Sequence, residues 1–328
     1  MQDGFGRNID YLRISVTDRC NFRCQYCMSE SMTFMPKTEL LTLEEIVLIA
    51  ERFIGHGIKK IRLTGGEPLV RRDMADVVHR LGRKVASGEL QELTMTTNGS
   101  LLRDYADHLA QHHVKRINVS MDTLDPSLFS IITRGGKIEP VLDGITAAKE
   151  AGISIKINMV ALKSINENSL LPMARWCADQ GHDLTVIETM PLGDTGENRI
   201  EEHISVDDFI APLRQNFSIT PIAHKSAGPA RYVNIDPLGL RMGLITPLSA
   251  NFCDGCNRLR LTTDGKIYMC LGHNAHVDLR NVIRTRGVSA VDGLLQKALK
   301  LKPLRHDFND QLEGSAEGLA RHMNVTGG

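Results

Sequence analysis

The stretch KKIRLTGGEP, Lys59 to Pro68, alternates Lys60, Arg62 and Thr64 with Ile61 and Leu63, then breaks at a pair of glycines. A period of two predicts a strand with one apolar and one polar face. β-Branched-rich runs recur at Tyr11 to Val16, Leu93 to Thr97, Arg116 to Met121, Ser154 to Val160 and Leu184 to Met190. Several alternate in the same way: Arg13 and Ser15 against Leu12, Ile14 and Val16; Asn118 and Ser120 against Ile117 and Val119; Lys156 and Asn158 against Ile155, Ile157 and Met159. Between the runs lie segments with helical spacing, such as TLEEIVLIAERFIGHG from Thr42, RRDMADVVHRLGRKVA from Arg71 and VLDGITAAKEAG from Val141. Thr42 followed by Glu45 is a capping box, and Gly57 and Gly152 fall where helices should end.

Strands and helices in this order predict an α/β fold of repeated parallel βα units. The strands of a parallel sheet are normally apolar on both faces. A doubly wound sheet would bury the polar face under helices, whereas an open barrel turns it toward a wet lumen. The expected architecture is therefore a partial (βα)6 TIM-type barrel with its site at the carboxyl ends of the strands. Scattered edge-strand polarity is the simpler alternative. After Met190 the pattern breaks into PLGDTGENRIEEH, and the remainder reads as a smaller C-terminal α+β extension. Its clearest element is a hairpin, Arg258 to Thr263 and Lys266 to Met269, around a two-residue Asp264-Gly265 turn. The expected division is a barrel over 1–220 and a C-terminal region over 221–328.

The 328 residues suffice for a sizeable core, and 42% hydrophobic with 24% charged residues is an ordinary globular composition. Thirty-nine basic and 39 acidic residues cancel, which removes the electrostatic case for nucleic-acid or anionic-membrane binding. No apolar run approaches the roughly 18 residues that span a bilayer, and MQDGFGRNID does not resemble a signal peptide. The expectation is a cytoplasmic protein. Seven cysteines in such a chain point to metal or redox chemistry rather than disulfides.

Six of the seven form two triplets. Cys20, Cys24 and Cys27 follow the first strand with C-x3-C-x2-C spacing, and Cys253, Cys256 and Cys270 make a C-x2-C-x13-C pattern on the hairpin. The compact first triplet suits an iron-sulfur cluster, with a zinc site borrowing a distant histidine as the competitor, and for the second the competitor is a zinc-ribbon fragment. A cubane cluster held by three thiolates keeps one iron open for a non-protein ligand. Two-residue hairpin geometry sets Cys270 opposite Leu259, about three strand positions or ~10 Å from Cys256. Cys177, beside Trp176 in a helical segment, reads as a buried apolar residue. Arg258 and Arg260 share one strand face, a pairing that suits phosphate, although on an ordinary strand it would be a solvated face.

CNFRCQYC followed by LTGGEPLVRRD resembles the radical S-adenosylmethionine superfamily. The resemblance implies a 4Fe-4S cluster whose open iron is chelated by the cofactor's amino and carboxylate groups. It also implies that Gly65, Gly66 and Glu67 contact the methionine amino group, and that Tyr26 packs near the adenine. LRISVTDRCNFRCQYC, LTMTTNG, RINVSMDTLDP, FSIITRGG, GLITPLSANFCDGCNRLRLTTDGK and the closing TGG narrow the resemblance, over nearly the whole chain, to the GTP 3′,8-cyclase family of molybdenum-cofactor biosynthesis. A second 4Fe-4S cluster, on the C-terminal triplet, is then implied, with guanine bound at its open iron.

By the same resemblance, Arg13, Lys60, Arg62, Arg258 and Arg260 hold the GTP triphosphate, and Arg13, Arg258 and Arg260 support catalysis. Thr96, Ser120, Asn158 and Met190 match cofactor-side strand ends, and Gly327 and Gly328 match a terminal pair that reaches into the active site. An external donor would supply an electron for cleavage of S-adenosylmethionine to methionine and a 5′-deoxyadenosyl radical. That radical takes hydrogen from the 3′ carbon, and the sugar radical attacks carbon 8 of guanine. The product would pass to cyclic pyranopterin monophosphate synthase, and the family suggests a homodimer. One position departs: Thr185 stands where the family usually has an arginine, so the expectation is either a lower GTP affinity or compensation by Lys163, Arg199 or another nearby cation. The rival readings are a peptide-modifying radical maturase, which would not need Arg258, Arg260 or the terminal glycines, and a non-catalytic zinc or cluster protein.

Overall fold

Six parallel strands follow one another in chain order and in space: β1 (Tyr11–Ser15), β2 (Lys60–Thr64), β3 (Glu92–Thr97), β4 (Val114–Ser120), β5 (Ser154–Ala161) and β6 (Asp183–Glu188). The computed structural model describes residues 1–193, 203–224, 226, 228–250, 252–308, 319 and 321–327. Every strand begins within two residues of its predicted start, but β6 stops at Glu188, two residues short of Met190. Helices cross between consecutive strands, among them α1 (Leu43–Gly55), α2 (Met74–Ala86) and α3 (Leu102–Gln111). The Thr42–Glu45 capping box forms in both directions, and Gly57 and Gly152 adopt φ of +97° and +81° just past their helices. The apolar alternates of the strands, Leu12, Ile14, Ile61, Leu63, Ile117 and Ile157 among them, join the helices in one continuous core.

The C-terminal strands do not stand apart from this sheet. β9 (Leu240–Ile245) pairs in parallel with β6, and β10 (Arg258–Leu261) pairs in parallel with β1, so the extension lengthens the sheet at both edges. β7 (Ser218–Ile222) and β8 (Arg231–Asp236) continue one side, and β11 (Lys266–Tyr268) and β12 (His276–Asp278) the other, giving twelve strands among the described residues. The result is an open barrel whose polar face lines the concave side. Cys177 is fully buried in the helix Leu170–Gln180, as its apolar surroundings predict. No helix among the described residues is long and apolar enough to cross a membrane.

The hairpin departs from its predicted register. Arg260 pairs with Tyr268 and Leu261 with Ile267, while the amide of Gly265 donates to the Thr262 carbonyl and that of Thr262 to the Lys266 carbonyl. The loop is therefore the three residues Thr263 to Gly265, closed by Gly265 at φ +81°, rather than two. Continued two residues, this register sets Cys270 opposite Arg258 and one strand position nearer Cys256 than a two-residue turn would.

Candidate active site

Register decides which side chains meet. Tyr11 lies between Arg258 on one neighbouring strand and Lys60 on the other, and Arg13 between Arg260 and Arg62. In-register neighbours in a sheet project to the same face, so these form two stacked rows, Arg258–Tyr11–Lys60 and Arg260–Arg13–Arg62. Both rows line a cavity of about 1170 Å³, part of it open to solvent. Lys156 and Arg116 line it too, making seven cationic side chains with no carboxylate among the lining residues. Neither of these two was assigned to the site from sequence. Lys156 was already on the polar face, and Arg116 precedes Asn118 by two, so the alternation carried the signal for both.

The cations are held in place from behind. Lys60 donates to Glu92 at 2.5 Å, Arg116 to the same carboxylate at 2.8 Å, and Arg62 to the Thr96 hydroxyl at 3.1 Å. Lys156 is 5% exposed and donates to the Tyr232 hydroxyl at 2.6 Å, which in turn donates to Ser226 at 2.9 Å. The phenol of Tyr11 registers the field: burial opposes its ionisation, yet Arg62, Arg13, Lys60 and Arg258 bring its pKa down to about 8. Burial and the Arg258 charge likewise pull Arg260 down to about 10. Thr185 lines the same wall, buried, beside Asn158 and Gly243 in register. Lys163 is exposed and does not line this cavity, and Arg199 lies outside the described residues.

Cys253, Cys256 and Cys270 open onto the cationic cavity. Cys20, Cys24 and Cys27 open onto a second one, of about 1160 Å³, with Tyr26, Gly65, Gly66, Thr96 and Ser120. The two cavities share Asn158, Ile187, Met190 and Met323, so these four residues form the junction between them. All six cysteines are free thiols. Their surroundings differ in sign. Burial pushes Cys20 up to about 11, with Glu67 adding to the effect, whereas Arg258 and Lys302 bring Cys256 down to about 7 against burial.

The carboxylates near the first triplet already have protein donors. Glu188 accepts from the amides of Val206, Leu248 and Ser249 at 3.2, 3.0 and 3.1 Å, and from the Ser249 hydroxyl. Asp122, raised to about 6 by burial, accepts from the Tyr26 hydroxyl at 2.8 Å and the Val160 amide at 2.8 Å, fixing the ring between Cys24 and Cys27. The buried Glu67 carboxylate accepts from Leu69 N at 3.0 Å, Asn98 N at 2.6 Å and the Thr97 hydroxyl at 2.8 Å, so it holds the loop whose Gly65 and Gly66 line the cavity. The glycines also allow two loops to dock: a Cβ on Gly66 would lie 2.4 Å from the Arg19 carbonyl. Three thiols without a spare carboxylate fit a cluster with one open iron.

Residues 323–327 pack against the barrel strands, and Met323 lines both cavities. Asn324, fully buried on the short helix Met323–Thr326, donates to the Asp18 carbonyl at 2.7 Å, and Arg260 donates to the Gly327 carbonyl at 2.8 Å. Gly327 sits at φ +73° against β2, where a Cβ would lie 1.9 Å from the Thr64 hydroxyl oxygen. Gly328 lies outside the described residues. Sequence reasoning also missed Lys302, Arg7, Asp122 and Glu188, most of whose partners lie far away in the chain.

Residues 14–177 match the Radical SAM superfamily model, and residues 182–308 match the model described as Molybdenum Cofactor Synthesis C. The fold is similar to the crystal structure of Streptococcus suis SuiB bound to S-adenosylmethionine, with a TM-score of 0.59 at 14% identity over 88% of this chain and 68% of that one. A GTP 3′,8-cyclase from Sinorhizobium medicae is 48% identical over 100% of this chain and 94% of its own. Another, from Caulobacter vibrioides, is 50% identical over 99% and 93%. Identity of that order along both chains, with both halves matched, shows that the protein belongs to the GTP 3′,8-cyclase family of radical S-adenosylmethionine enzymes.

Proposed function

We propose that this protein is a GTP 3′,8-cyclase, converting GTP to 3′,8-cyclo-7,8-dihydro-GTP in the first step of molybdenum-cofactor biosynthesis. The observation that carries the reading is the arginine row Arg260–Arg13–Arg62, in register and in one cavity with no carboxylate lining it. Like charges side by side on a sheet face destabilise it, so the row implies a bound polyanion. A triphosphate fits, with Lys60, Arg258, Lys156 and Arg116 completing the set. The other cations answer the charge that an arginine at Thr185 would have added.

When bound, a 4Fe-4S cluster on Cys20, Cys24 and Cys27 with S-adenosylmethionine supplies one-electron cleavage chemistry, and a second cluster on Cys253, Cys256 and Cys270 offers guanine an open iron. The chain's own residues do the rest. Gly65, Gly66, Thr96, Ser120 and the Asp122-fixed Tyr26 shape the cofactor side. Asn158 and Met190, at the junction, face both cofactor and substrate. The arginine rows grip the phosphate end of GTP and so orient its ribose toward that junction. Met323 and Gly327 close the lumen, and Arg260 is tied to both tail and substrate wall. A dry enclosure protects a radical reaction from side chemistry. The barrel over 1–220 would carry the first cluster and the region 221–328 the second. An external electron donor, transfer of product to cyclic pyranopterin monophosphate synthase and a homodimer belong to the same reading on the family resemblance.

The test is anaerobic mass spectrometry of iron- and sulfide-reconstituted, reduced protein with S-adenosylmethionine, with and without GTP. The expected result is GTP-dependent formation of both 5′-deoxyadenosine and a cyclised nucleotide. Deoxyadenosine without a nucleotide product would move the substrate elsewhere, as a peptide-modifying relative would require.

A further inference from the structure

Lys302 follows the helix Val291–Lys300 and is 2% exposed. Its ammonium donates to the Cys256 sulfur at 3.4 Å, to the Arg258 carbonyl at 3.0 Å and to the Met269 carbonyl at 2.6 Å. Those acceptors belong to the cysteine loop, the start of β10 and the residue before Cys270. One side chain therefore ties together both parts of the C-terminal triplet, which the three-residue hairpin loop alone leaves separate.

The neighbouring segment is pinned from the other side. Arg7 donates to the Cys253 carbonyl at 2.9 Å, to Leu304 O at 2.9 Å and to Pro303 O at 2.6 Å, and pairs with Asp3 at 2.6 Å. The two buried cations differ in one respect. Arg7 has a carboxylate against it, whereas among the described residues the one side-chain hydrogen-bond acceptor of Lys302 is Cys256. A buried ammonium is costly unless negative charge answers it. A thiolate at Cys256 supplies that charge, and three thiolates around an iron-sulfur core supply more.

We propose that Lys302 is the positioning residue of the second cluster: it holds Cys256 in place and sets its positive charge against the cluster's sulfur. The proposal rests on the reading that the C-terminal triplet carries a cluster. Hydrogen bonds and charge at the sulfurs tune cluster potentials, and a nearby cation favours the reduced, more negative state. Lys302 thus raises the midpoint potential of this cluster and slows its loss of iron.

The experiment uses the full chain with Cys20, Cys24 and Cys27 replaced by alanine, reconstituted anaerobically with iron and sulfide, so that only the second site reports. This parent is expected to bind about four irons. Lys302→Met is expected to lower the midpoint potential, followed by electron paramagnetic resonance, and to lose iron to a chelator several-fold faster. Lys302→Arg, which keeps the charge, restores much of both. Where Lys302→Met fails to fold by circular dichroism, Lys302→Gln, which keeps a donor without the charge, is compared instead and is also expected to lower the potential. A loaded parent whose potential and iron loss are indifferent to these substitutions overturns the proposal alone. A parent that takes up no iron overturns the cluster reading and the proposal with it.

Discussion

Cys256→Ala protein is expected to assemble its N-terminal cluster and cleave S-adenosylmethionine, yet release cyclised nucleotide only at background level. The reason is spatial. Cys256 opens onto the cavity lined by the two cationic rows, while Cys20, Cys24 and Cys27 open onto the other, and the junction residues lie between. Loss of one thiol in the cationic cavity leaves the Tyr26–Asp122 bond and the Glu67-held loop beside the other cavity untouched. Cys24→Ala should do the reverse, abolishing cofactor cleavage altogether and with it every product. Iron content, 5′-deoxyadenosine and nucleotide product, measured on the same anaerobic samples, separate the two variants. Full cyclisation by Cys256→Ala would sink the two-cluster assignment.

The second large effect concerns the chain's last described residue. Gly327→Ala places a methyl where the Thr64 hydroxyl oxygen stands 1.9 Å away, at a backbone φ of +73° that alanine adopts at a cost. The tail must leave its groove, and the Arg260 guanidinium loses the Gly327 carbonyl. Displacing positioned groups by about 1 Å can cost roughly 100-fold in rate, and a loss of that size in cyclised nucleotide is expected here. Global stability should fall by about 1–2 kcal/mol, the cost of holding a residue with a Cβ at a left-handed φ. Thermal unfolding with product analysis checks both halves. Unimpaired turnover would show that the tail has no part in the reaction.

Much of this was legible in the sequence because it depends on period. The alternation in KIRLT and YLRIS places Lys60, Arg62 and Arg13 on one face, and a barrel turns that face inward. Arg116 and Lys156 obey the same alternation and could have been read with them. What could not be read depends on partners distant in the chain. Nothing local to β9 or β10 tells that one adds to β6 and the other to β1. Asp264-Gly265 serves a two- or a three-residue hairpin loop equally well, and only the pairing of Arg260 with Tyr268 distinguishes them. Glu67 sits in the motif that resemblance assigns to the cofactor, but whether a carboxylate faces a cavity or the amide of Asn98 is a matter of rotamer and not of spacing. Lys302 and Arg7 act largely on backbone carbonyls, which carry no sequence signature.

The central claim is that the two cavities form one reaction chamber, with the ribose of GTP held at the junction by Asn158, Ile187, Met190 and Met323. GTP carrying deuterium at the 3′ carbon tests it most directly. In a single turnover with reductant and unlabelled S-adenosylmethionine, the account predicts one deuterium in the 5′-deoxyadenosine for each cyclised nucleotide formed. Cyclised nucleotide accompanied by unlabelled 5′-deoxyadenosine would contradict it.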